Sequence, residues 1–129
     1  MSIALGLLII RAVFGLIFVG HGAQKLFGWF GGYGLKGTGG WLDSIGIKPG
    51  VLAAFMVGLF EIIGGLLFVL GLWLPFAAVL IVILMIGAII SVHYKNGFWV
   101  TQNGIEYNIV IIAIAVGIAL IGAGDYSIN

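Results

Sequence analysis

Nine polar or ionisable side chains stand where their neighbours in the sequence are overwhelmingly apolar. Arg11 and Glu61 fall in the middle of hydrophobic runs, and His21, Gln24, Lys25, Ser91, His93, Glu106 and Asn108 gather at the ends of such runs. An isolated charge at membrane depth costs about 3 kcal/mol or more. Arg11 and Glu61 are therefore expected to face each other, as a pair that locks the structure or one that also binds a substrate or moves protons. The groups at the run ends are expected to converge as the rim of a polar, aromatic-walled pocket. The bland alternative is that His21, Lys25 and His93 snorkel to lipid headgroups.

Composition names the solvent that makes these groups costly. The 129 residues are 63% hydrophobic and 7% charged, with a mean hydropathy of +1.32, more apolar surface than one small water-soluble core can hide. Crossing about 30 Å of hydrocarbon takes about 20 helical residues. Four stretches qualify, roughly 3–22, 51–71, 75–92 and 105–124. The expected fold is all-α, a single domain over 1–129: an integral membrane bundle of four transmembrane helices, with a glycine- and aromatic-rich interfacial loop between helices 1 and 2. The first run lacks a basic leader and a small-x-small cleavage pattern and carries Arg11 inside it, so it is expected to stay in the mature protein as a span. Helical spacing sets Arg11, Phe14, Gly15, Phe18, Gly22 and Lys25 on one stripe and Ala54, Gly58, Glu61, Gly64 and Phe68 on another. Small residues in both stripes allow close helix approach. Glu106 shares a stripe with Ala113, Gly117 and Gly124, which points its carboxylate into the bundle.

Four spans put both termini on one face and the segments 26–50 and 94–104 on the other. Lys25, Lys36, Lys48 and Lys95 all fall on the loop side, and none lies on the terminal side. The positive-inside bias makes the loops cytoplasmic and the termini external. Gly71 and Pro75 frame a tight hairpin in "GLWLP". Segment 26–50 holds nine glycines along with Trp29, Tyr33 and Trp41, and "GWLDSIGIKPG" reads as a short interfacial helix that ends before Pro49. The exits "HGAQKLFGWF" and "HYKNGFWV" form a faint internal echo. "GYGLKG" matches a dinucleotide fingerprint but lacks its strand–turn–helix setting. The net charge of +1 gives no sign of nucleic acid as a partner. With no cysteine, the chain has no thiol relay, so a redox role requires a borrowed electron carrier.

The chain resembles the DoxX family of small four-helix membrane proteins through "RAVFGLIFVGHGAQKLFG" (11–28), "SIGIKPG" (44–50), "FEIIGGLLFVLGLWLP" (60–75), and "HYKNGFW" with "GIEYN" (93–108). The resemblance implies a bacterial or archaeal cell-membrane protein of a redox, detoxification or stress-response system, linked to quinones, catechols or thiols and often beside a soluble redox enzyme. Its pattern points to Arg11, His21, Lys25, Glu61, His93 and Glu106. As a redox subunit, the protein would bind a quinone or small phenol: His21 or His93 would hydrogen-bond a carbonyl, Lys25 would stabilise a developing oxyanion, and Glu106 would manage protons. Trp29 and Trp41 would border the ring, and Arg11 and Glu61 would support the ligand site. A non-enzymatic scaffold for a cytoplasmic enzyme is the alternative, with a transporter, which would need a homo-oligomer, in reserve. Haem between His21 and His93, or iron held with Glu106, is the lesser cofactor reading, since no second shell for it is evident.

Overall fold

The computed structural model describes residues 2–127; Met1 and Asn129, the ends whose sidedness the lysines predict, lie outside that range. Five α-helices run in order through the described residues: α1 (Ile3–Phe27), α2 (Gly34–Ser44), α3 (Gly50–Leu70), α4 (Leu74–Ala88) and α5 (Glu106–Ile121). α4 continues through a wide π-turn, Ile89–His93, into a 3-10 turn, Tyr94–Asn96. Three helical stretches are long and apolar enough to cross a membrane: Ile3–Phe27, Gly50–Leu70 and Leu74–Asn96. The fourth expected span is shorter. α5 has 16 residues, about 24 Å at 1.5 Å per residue against about 30 Å of hydrocarbon, and the chain leaves the helix at Gly122, whose φ is +99°.

Local sequence explains where the helices begin and stop. The Ser2 hydroxyl accepts the Leu5 amide at 3.0 Å and caps α1. Gly28, at φ +74°, ends α1 in the left-handed conformation that a side chain disfavours. α1 therefore runs five residues past its expected end. Gly71 closes α3 in the same way, and Pro75 opens α4 where an amide hydrogen is not needed. The interfacial helix also starts earlier than the sequence suggests, at Gly34. Asp43 on α2 accepts the Gly50 amide at 2.9 Å, which satisfies an orphan donor at the start of α3 and ties the two helices together.

The expected stripes are the packed faces. α1 buries Leu7, Arg11, Phe14, Gly15, Phe18, Gly22 and Ala23, and α3 buries Gly50, Ala54, Gly58, Glu61, Gly64, Gly65 and Phe68. The two helices cross at glycine: a methyl on Gly65 would stand 2.5 Å from the Gly15 carbonyl oxygen, and one on Gly22 would stand 2.6 Å from that of Gly58. In lipid, where apolar burial against water supplies no drive between helices, such backbone proximity is what holds them. Phe14 and Phe68 meet edge to face with centroids 5.0 Å apart, worth about 0.5–1.5 kcal/mol beyond area. Ala77, Ala78 and Ile81 of α4 and Ala115 and Ile118 of α5 complete this core.

The expected Arg11–Glu61 pair does not form. Gly15 opposite Gly65 and Gly22 opposite Gly58 fix an antiparallel register that sets Arg11 opposite Val69. That is eight residues from Glu61, roughly 12 Å along the axis. Side chains also lean toward the N-terminus of their own helix, so in this register Arg11 and Glu61 lean apart. Arg11 is fully buried and donates from Nη2 to the Tyr126 carbonyl. Its Nε and Nη1 have no hydrogen-bond partner among the described residues.

Candidate functional site

The lean that separates Glu61 from Arg11 brings it to Lys25. Lys25 stands opposite Phe55, and its side chain reaches down α1 while that of Glu61 reaches down α3, so the two tips converge. Lys25 Nζ lies 2.8 Å from Glu61 Oε1, with side-chain exposures of 29% and 7%. The contact is an ion pair rather than an aligned hydrogen bond, since Oε1 has no hydrogen-bond partner.

The pair forms one wall of a cavity of about 620 Å³, within the range that accepts a drug-sized molecule. Three helices build the rest. α2 contributes Thr38, Trp41 and Leu42, spaced so that one helical face turns inward; α3 contributes Met56, Val57 and Phe60. On α4 and its extension, Gly87, Ala88, Ser91 and Val92, two i, i+4 pairs on one helical face, reach the cavity, and His93 joins them at the end of the π-turn. Inserted π-turns of this kind recur at functional sites. The lining is apolar except for Lys25, Glu61, Thr38, Ser91, His93 and Asn103. A second cavity, about 470 Å³ and lined by Gln24, Gly31, Gly32 and Tyr33, shares Lys25, Thr38 and Trp41 with the first. Lys25 thus stands between an apolar chamber and a more polar vestibule under the glycine-rich loop.

Two polar groups hold the loop end of the chamber. His93 Nδ1 lies 2.8 Å from the Asn103 carbonyl oxygen; a carbonyl only accepts, so Nδ1 carries the proton and a neutral ring keeps Nε2 as an acceptor. Ser91 donates to the Gly87 carbonyl at 2.7 Å, which leaves its oxygen lone pairs free to accept.

The remaining expected site residues lie elsewhere. His21 is exposed on the flank of α1, its ring 6.3 Å from that of Phe18, about 40° farther round the helix than Lys25; it lines neither cavity but stands near enough for its charge to act on Glu61. Trp29 is exposed and packs on Phe27 at 4.9 Å. Glu106 does not point into the bundle: as the first residue of α5, it accepts the Val100 amide at 2.9 Å and closes the preceding loop, a position that a helix N-terminus favours for a carboxylate. Asn108, about 200° farther round, is the residue that turns inward, with Nδ2 3.5 Å from Met85 Sδ. His21, His93 and Glu106 form no common metal-binding set; no cluster of three His, Cys, Asp or Glu occurs among the described residues. Thr38 and Met85 line the chamber without having stood out in the sequence. Thr38 becomes visible only once α2 is known to begin at Gly34.

Residues 6–94 match the DoxX family model. Over 122 residues, covering 95% of this chain and 83% of the relative, the sequence is 32% identical to "Putative oxidoreductase CatD" of Bacillus subtilis (strain 168). No solved structure matches the chain.

Proposed function

The chain belongs to the DoxX family, and on that premise we propose that it is the membrane subunit of a redox or detoxification system, binding a quinone or small phenol in the chamber beside Lys25 and Glu61. The observation that carries this reading is one charged pair, Lys25–Glu61, set in the wall of an otherwise apolar cavity between hydrophobic helices. A ring fills the apolar volume, and its oxygen meets the charged part of the wall. As the ring accepts electrons, the Lys25 ammonium stabilises the oxyanion and donates a proton to it. The vestibule then returns a proton to Lys25, and Glu61 holds the lysine in position throughout. At the opposite end, Ser91 and His93 offer acceptors to a ring hydroxyl. A quinone reduced to its hydroquinone takes up two electrons and two protons: Lys25, reprotonated through the vestibule, supplies one, water at the loop end of the chamber supplies the other to the far oxygen, and in a chain without cysteine a soluble redox partner supplies the electrons.

In this reading α5 serves as a fourth span and the vestibule lies on the cytoplasmic side of a bacterial or archaeal cell membrane, where such a partner docks; the bias of the four lysines supports that sidedness. The DoxX match and the oxidoreductase name of the Bacillus relative support the redox class. The test is titration of the purified protein in nanodiscs with a tail-less methoxybenzoquinone, read by tryptophan fluorescence. Saturable quenching that disappears in Trp41→Phe is the expected result, since Trp41 alone of the four tryptophans lines the chamber. Absence of saturable quenching overturns the proposal in favour of a scaffold that anchors a cytoplasmic enzyme.

A further inference from the structure

The chamber has a side door. Between α3 and α4 its rim is formed by Met56 and Phe60 on one helix and Ile83 and Gly87 on the other. Met56 is 44% exposed and Ile83 53% exposed, so the opening faces outward between two membrane-length helices and not toward a loop. Gly87 is exposed and bears no side chain across the gap; a Cβ there would meet nothing within 4 Å. Every rim residue is apolar or glycine in its side chain, whereas Lys25, Glu61 and Thr38 lie on the inner wall and Ser91, His93 and Asn103 toward the loop end. A lining with polar groups within and an apolar mouth open to hydrocarbon matches an amphiphile that enters headgroup first.

We infer that the chamber is loaded laterally from the bilayer and that its ligand is a lipid-dissolved ring compound carrying an apolar tail, with the ring oxygen at Lys25–Glu61 and the tail leaving between α3 and α4. The inference rests on the proposed ring-binding function and adds the ligand's class and route. Volume supports it. A bare ring of eight heavy atoms takes on the order of 200 Å³ if each occupies about a water's share of space, so a chamber of about 620 Å³ has room for the ring and the first units of a chain. The vestibule is the competing route. Its walls include Gln24, Tyr33 and the loop glycines, and the Lys25–Trp41–Thr38 partition lies between it and the chamber, so a tail would have to displace the ion pair to leave that way.

The experiment uses the full chain in phosphatidylcholine nanodiscs and two probes: a tail-less methoxybenzoquinone and the same ring on a prenyl-length tail with a diazirine near its end. Photolysis followed by peptide mapping is expected to place the label on Met56, Phe60 or Ile83. Gly87→Phe and, separately, Ile83→Trp narrow the gap and are expected to weaken the tailed probe at least tenfold more than the tail-less one. Label on Gln24 or Tyr33, or a parallel change for both probes in both variants, overturns the lateral route while leaving ring binding in place. A diazirine phosphatidylcholine that labels the same rim and is not displaced by the tailed quinone identifies the occupant as a lipid chain and also overturns it. If the wild type binds neither probe, the function proposed above falls together with the route.

Discussion

Removing either member of the Lys25–Glu61 pair is expected to cost unequal amounts of stability, and the inequality follows from the exposure of the two side chains. Glu61 is 7% exposed and Lys25 29%. In Lys25→Met, the carboxylate stays buried without its cation, at a cost of about 3 kcal/mol, reduced to the extent that it takes up a proton. In Glu61→Gln, the ammonium has a flexible stem and the vestibule beside it, so it swings toward water and the cost falls to about 1 kcal/mol. The double variant Lys25→Met/Glu61→Gln buries only a neutral amide, at about 1–2 kcal/mol. The double variant should thus be at least about 2 kcal/mol more stable than independent costs would give. The assay is chemical unfolding in detergent, followed by helical circular dichroism. Additivity of the two single changes to within about 0.5 kcal/mol would refute the pair. The same cycle on Arg11→Met and Glu61→Gln serves as a control: at roughly 12 Å these residues are expected to be additive, and strong coupling there would refute the register.

Further expectations follow from other contacts. Gly65→Ala drives a methyl to 2.5 Å from the Gly15 carbonyl and should cost about 1–3 kcal/mol as α1 and α3 are forced apart, measurable in the same unfolding experiment; an unchanged midpoint would show a looser crossing. Arg11→Met removes the donor to Tyr126 and should raise hydrogen exchange across residues 122–127 while leaving the chamber residues unchanged, as read by mass spectrometry. Glu106→Gln should cost about 1 kcal/mol through its weakened bond to the Val100 amide and leave quinone affinity within about twofold; a tenfold loss would return Glu106 to the site. A reporter fused after Asn129 should be active only outside the cytoplasm, and a cytoplasmic signal would reverse the proposed sidedness.

The helical faces were legible because helical period and the intolerance of lipid for polar groups both act locally. The stripes through Arg11 and Gly22 and through Gly58 and Glu61 are the buried ones. The partner of Glu61 was not legible. Both Arg11 and Lys25 lie on the correct stripe, and the choice between them depends on axial register, set by glycines that meet across helices, and on the lean of the side chains. Glu106 misled for a related reason: its periodicity fits a buried stripe, but as the first residue of α5 it faces the loop amides first. The interfacial helix begins six residues before the stretch that marks it in the sequence, since its first turn, rich in glycine, carries no apolar period. The π-turn at Ile89–His93, which ends on the cavity-lining His93, has no signal in residue type at all.

The central claim is that a ring oxygen meets Lys25 inside the chamber, and the carbonyl stretch of a bound quinone reports on that contact directly. Infrared difference spectra would be recorded with a tail-less methoxybenzoquinone labelled with carbon-13 at one carbonyl, in wild-type nanodiscs and in Lys25→Met under conditions where both are folded. One carbonyl band of the bound ring is expected to shift to lower frequency in the wild type, as hydrogen bonding to a cation demands, and that shift to vanish in Lys25→Met. A bound quinone whose two carbonyls keep the same frequencies in both proteins would contradict it.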